Sequence, residues 1–349
     1  MRLAILLAIP AFLAGGGPAT ADLAVPRAAH TATLLASGEV LVAGGCAVDS
    51  CELDERGATT EIVDARGGTR PGPQLLQPRV GHHAAALADG TVLIAGGFTK
   101  FSLTPSAELL VGDAFVALPP MKAVRGGATS TRLRDGRVLF VGGSAGPNTL
   151  RTAELYVPKL RRFVMTGRLR TARSAHAATL LPDGRVLVAG GSNKGGVLRS
   201  AEIYDPRTGR FTPVGSMRTA RHKLALAPLP GGALAIGGSD ERDWRGRIAT
   251  AERFDARRGK FVAVARLAVP RFKLADAVVA TPAGIVVAGG APSVELYEPR
   301  TGRFRTIERL TGERHFATAT RLPTGNVLVA GGYDSSIAVT RSAWLVRPR

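Results

Sequence analysis

The residues of this chain whose types suit chemistry return at a fixed interval. An arginine recurs at Arg27, Arg79, Arg125, Arg173, Arg221, Arg271 and Arg314. A glutamate follows each of the first six, at Glu61, Glu108, Glu154, Glu202, Glu252 and Glu295, and Trp344 takes the seventh place. Seven guanidinium groups gathered around a channel mouth would suit carboxylates or sulfates, because the planar fork bonds them bidentately. The matched count of acids points instead to ion pairs between one repeat unit and the next. Histidines keep the same rhythm, with His30, His82 and His176 in one register and His222 and His315 two positions earlier. Histidines from separate units ligate a metal only where they converge, and registration explains these without chemistry, so neither a metal nor a cofactor is expected.

The remaining candidates are local. Cys46 and Cys51 are the only cysteines; with four residues between them in one loop, they read as a disulfide rather than as half of a zinc site, since zinc takes four ligands. Asp49, Glu52, Asp54 and Glu55 share that loop without the spacing of a calcium loop, and read as a solvated acidic stretch. Gly142-Gly143-Ser144-Ala145-Gly146 satisfies the G-x-S-x-G pattern of hydrolases, which requires a strand-to-helix turn that this sequence does not offer. No phosphate-binding loop is present.

The element that positions all of these is a phrase said seven times. Its clearest copy runs from Arg173 to Phe211. Within it AHAATLL and RVLVAGG flank Asp183-Gly184, a hairpin turn; SAEIYD and RFTPV flank Pro206-Arg207-Thr208-Gly209, a second turn. The unit is thus four up-and-down strands, its second strand apolar enough to be buried on both faces. Gly-Gly pairs begin at Gly44, Gly96, Gly142, Gly190, Gly237, Gly289 and Gly331, which makes seven units. Four-stranded sheets at this period bury their faces only by packing around an axis, so the fold class is all-β, a seven-bladed β-propeller of four-stranded antiparallel blades.

The double glycine after VLVAGG, the motifs ELYVP, EIYDP and ELYEP, and the Phe of the fourth strand resemble the kelch-repeat family over nearly the whole chain. The resemblance raises galactose oxidase, whose copper site needs a Cys-crosslinked Tyr, a second Tyr and two His. Here both cysteines lie in one loop, and Tyr156, Tyr204 and Tyr297 are the repeat aromatic, which leaves only Tyr333 outside the pattern. A copper oxidase is therefore not expected. The chain is also similar in outline to the exported kelch propeller that interconverts sialic acid anomers, which implies an acid/base pair; the residues outside the repeat pattern that offer one are Asp240, Glu241 and Asp243.

Arg2, the apolar run Leu3 to Leu13 and Ala19-Thr20-Ala21 have the layout of a secretory signal peptide, giving an expected signal at 1–21, a propeller domain at 22–349, and an exported, periplasmic or extracellular protein. No later stretch is apolar enough for a transmembrane helix. The signal collides with the repeat. The fourth-strand Phe lies ten residues before the next Arg, as in Phe163 and Arg173, and counting back ten from Arg27 lands on Gly17. Residues around Gly15 to Leu23 would supply the outer strand of blade 7, so either that blade keeps three strands or cleavage falls earlier.

Of 46 Lys and Arg against 27 Asp and Glu, only seven are lysines, and the resulting charge of +19 is spread through every repeat with no basic run or interleaved aromatics. That distribution excludes a specific nucleic-acid binder. Loops after the Gly-Gly pairs vary most: long at 46–58, long and charged at 239–249, nearly absent at 291–293. Variable loops on a rigid scaffold are where binding concentrates. The step between the blade 5 loop, carrying Asp240, Arg242, Trp244 and Arg245, and the low blade 6 is the expected groove, with Trp244 either stacking on a ligand or covering the blade edge. The expectation is a monomeric binding scaffold for a protein or a glycan, acidic ligands included, without catalysis.

Overall fold

A computed structural model describes residues 20–349 apart from Phe101; residues 1–19, which carry most of the expected signal peptide, lie outside the described residues. Seven four-stranded antiparallel sheets follow one another around an axis, six of them with their strands in chain order from the axis outward. Blade 4 is representative: Ala177–Leu180, Val186–Ala189, Ala201–Asp205 and Arg210–Val214. The innermost strands touch pairwise in a closed circle, with Thr318–Arg321 of blade 7 against Thr31–Leu34 of blade 1. The second strands, such as Val40–Ala43 and Val327–Ala330, are buried along their whole length, because each is covered by a blade on either side.

The ring is closed by Thr20–Asp22, which pairs antiparallel with Ser342–Val346 as the outer strand of blade 7, matching Thr20, Ala21 and Asp22 to Trp344, Ala343 and Ser342. Ala21 and Leu23 are buried in the packing between blades 7 and 1. Blade 7 therefore has its fourth strand, drawn from the segment that the repeat register points to. The repeat aromatics stack along the outer edge: Tyr156 on Phe163, Tyr204 on Phe211 and Tyr297 on Phe304, with ring centroids 5.2, 4.8 and 5.0 Å apart. No helix among the described residues is long and apolar enough to cross a membrane. Gly142 to Gly146 ends a second strand and enters a small hairpin, as its place in the repeat predicts.

Candidate functional site

The recurrent arginines are inside the protein. Arg125 donates from Nε to Glu154 Oε1 at 2.8 Å, from Nη1 to the carbonyls of Gly142 and Thr152 at 2.8 Å each, and from Nη2 to Thr152 Oγ1 at 3.1 Å. Glu154 also accepts the backbone N–H groups of Lys122 and Ala123 at 2.6 and 3.2 Å. Arg27–Glu61, Arg79–Glu108, Arg173–Glu202, Arg221–Glu252 and Arg271–Glu295 repeat the arrangement. These pairs lie within a blade, not between blades, which corrects the sequence expectation. The physical reason is that each Glu reaches past its arginine to clamp the linker arriving from the previous blade, so one carboxylate joins both. Arg314, lacking an acid, lies against the Trp344 ring at 5.1 Å and donates to Glu313 O and Thr311 Oγ1. Burial lowers the pKa of all seven guanidinium groups, yet their partners keep them charged.

Contact between blades comes partly from the histidines. His30, His82 and His176 each bond through Nε2 to a threonine of the preceding blade, Thr318, Thr31 and Thr129, at 3.0, 2.9 and 3.0 Å. Burial pushes their pKa far down, to about 3 for His30, so they are neutral spacers in a structural ring.

Two residues beyond each arginine the chain turns through the left-handed region: Ala29, Gly81, Gly127, Ala175, Lys223, Lys273 and Phe316 have φ between 51 and 61°. These seven positions circle the axis on the irregular-loop face. Backbone bonds run head to tail along most of the circle, from Gly81 N to Ala29 O at 2.8 Å, Lys223 N to Ala175 O at 2.8 Å and Lys273 N to Lys223 O at 2.9 Å. All seven line a cavity of about 430 Å³ at the mouth of the axial channel, within the range of small-molecule sites. The mouth is lopsided. Blades 1 to 4 contribute only Ala or Gly at this circle, whereas blades 5, 6 and 7 contribute Lys223, Lys273 and Phe316.

The blade 5 loop explains the other wall. Rather than standing above a groove, it leans across the low blade 6 and reaches blade 7: Trp244 packs edge-on to Phe272 and His315 at 5.0 and 4.6 Å, and Arg247 meets Glu313 at 3.2 Å. The expected groove is thus filled by the loop itself, and Trp244 is half-buried as its lid. Asp240 and Arg242 pair with each other at the surface, and Arg245 is exposed beside them. Asp243 turns inward and holds the Lys223 ammonium at 2.8 Å. Lys273 is ringed by Trp244, Phe272, Tyr333 and Phe316 at 4.5 to 5.4 Å, and donates to Tyr333 Oη at 2.7 Å. It has no carboxylate partner among the described residues. Burial, then the neighbouring Lys223, lower its pKa to about 8, and burial raises Tyr333 to about 12.

Deeper in the channel the repeat breaks. In six blades the first strand begins pairing four residues after the arginine, as at His83 after Arg79 and Ala225 after Arg221. In blade 6 the named strand starts only at Val278, seven residues after Arg271, and Ala275-Asp276 turn outside it. These extra residues push into the channel. Asp276 borders both the mouth cavity and a second, polar cavity of about 210 Å³ shared with Thr31, Thr33, His83 and Ser130. Asp276 is exposed to the channel, and desolvation by the protein around that channel raises its carboxyl to about 6. His83 Nε2 is buried without a partner, its pKa lowered to about 4 by burial. Sequence reading missed Asp276 and the lysine pair, although two of only seven lysines at one repeat position were a visible signal.

Seven blades around an axis, with a cavity at the mouth of the loop face, define a β-propeller. The kelch motif matches residues 173–218, which contain blade 4, within a chain that folds as a seven-bladed β-propeller. A fungal alcohol oxidase of the AA5 family, solved in complex with copper, superposes with a TM-score of 0.75 at 19% identity, covering 94% of this chain and 75% of that one. At that identity the likeness is one of fold. No protein of curated function matches. The donor set here does not fit copper. Cys46 and Cys51 form a disulfide, the repeat tyrosines stack in the blades, His30, His82 and His176 bond threonines, and no cluster of three metal-ligating side chains occurs among the described residues.

Proposed function

We propose that this protein is an exported kelch propeller that binds a glycan, or an acidic group on a protein, at the axial mouth of its irregular-loop face. The observation that carries the reading is the lopsided circle: small residues on four blades leave room, while Lys223 and Lys273 bring two ammonium groups to the opposite wall. A left-handed backbone strains lysine where glycine would fit freely, and strain kept at a cavity favours a functional reading. The disulfide Cys46–Cys51 agrees with an oxidising compartment. The test is binding of the purified exported protein to a glycan array at two salt concentrations. Selective, salt-tolerant binding to acidic sugars supports the reading; silence, or signal lost at higher salt, sinks the glycan ligand and leaves the acidic protein group.

A second reading, acid/base exchange of acidic sugar anomers, is favoured by Asp276, a channel carboxylate with a raised pKa close to neutral lining groups. It requires faster anomer exchange by NMR than with Asp276→Asn.

A further inference from the structure

We infer that Lys273 is an imine-forming amine for small 2-oxo acids, with Lys223 holding the acid's carboxylate and Tyr333 serving the proton. The inference rests on the axial mouth being a ligand site, but not on the ligand being a sugar.

Three features of the geometry meet here. Lys273 lines the cavity from an aromatic wall that excludes competing hydrogen-bond acceptors, and its one bond within the protein goes to the phenol of Tyr333 at 2.7 Å. Lys223 lies one blade away on the same circle, its backbone carbonyl bonded to Lys273 N at 2.9 Å. Lys223 also holds Asp243 at 2.8 Å, so an incoming carboxylate shares the ammonium with that side chain. A lysine in an apolar pocket beside another cation is the arrangement that frees an amine for attack on carbonyls. The four rings favour the charged form, and burial and Lys223 oppose them.

The step balances without a further reactant. The neutral Nζ adds to the carbonyl carbon, forming an N–C bond and a carbinolamine. The Tyr333 phenol then protonates the carbinolamine oxygen, the C–O bond breaks, and water leaves. The nitrogen proton returns to Tyr333, leaving the imine. No oxidant or reductant is consumed. The cavity of about 430 Å³ accommodates a small 2-oxo acid with space to spare.

The experiment is reductive trapping on the folded protein with pyruvate and borohydride, read by peptide mapping. The expected adduct is on Lys273, with the mass of pyruvate less water plus two hydrogens, formed at least ~tenfold faster than on the exposed Lys159 and Lys194. Lys223→Ala is expected to lower trapping of pyruvate more than trapping of acetone, which lacks the carboxylate. Tyr333→Phe is expected to slow trapping with a melting curve close to wild type. Labelling of Lys273 no faster than the exposed lysines, or labelling centred on Lys223, overturns the inference, and neither result needs a variant that folds. A silent glycan array together with selective trapping would separate failure of the sugar reading from failure of this one.

Discussion

Glu154→Ala is the sharpest probe of what holds the blades. The carboxylate is fully buried against Arg125 and accepts two backbone N–H groups of the incoming linker. Its removal leaves a buried guanidinium without a counter-charge and two part-buried backbone donors without their acceptor. Breaking a buried pair in this way costs about 3–5 kcal/mol. With an unfolding entropy of about 2.1 cal/mol/K per residue, a chain of this length loses roughly 4–7 °C in Tm. Calorimetry of the folded protein measures this directly. Glu154→Gln, which retains an acceptor, should fall between the two. The double change Arg125→Met/Glu154→Leu should recover most of the loss, because the desolvation of both charges disappears with them. Ligand binding should be unaffected, since Arg125 is not at the cavity surface. A Tm within about 1 °C of wild type for Glu154→Ala would refute the clamp.

Other perturbations follow from the same structure. Asp276 has a folded pKa of about 6 against an ordinary value of 3.8. Its ionisation therefore penalises the fold as pH rises through that window, and the penalty vanishes below the unfolded value. Asp276→Asn should match wild-type Tm at the acid end and exceed it increasingly toward neutral pH; a constant offset would contradict the assignment. A chain beginning at Leu23 should melt below one beginning at Thr20, because it lacks the strand that pairs with Ser342 to Trp344; equal melting would mean that blade 7 closes without it. His82→Ala should lower Tm by removing the bond to Thr31 across the blade boundary; an unchanged Tm would mean that this bond does not hold the blades.

The repeat made the architecture legible. Asp-Gly turns, the Gly-Gly pairs and the apolar second strands state the blade seven times, and even the outer strand of blade 7 followed from the Phe-to-Arg interval. The direction of the Arg–Glu pairs did not follow, because periodicity gives positions but not whether a side chain reaches within its own sheet or the next. The groove was misread because loop length says nothing of where a loop leans; Trp244 found Phe272 and His315 across blade 6. Asp276 was hidden for the opposite reason. A shorter hairpin in blade 6, turning at Pro282-Ala283, nearly cancels the two-residue insertion, so the interval from Arg271 to Gly289 looks ordinary until the strands are paired.

The central claim is that the lysine side of the axial mouth binds an acidic group. It is tested most directly by comparing wild type with Lys223→Ala/Lys273→Ala on one acidic glycan array, at equal salt and with matched melting curves. The account predicts selective binding by wild type and its loss in the double variant. Equal binding by both proteins would place the ligand elsewhere and contradict it.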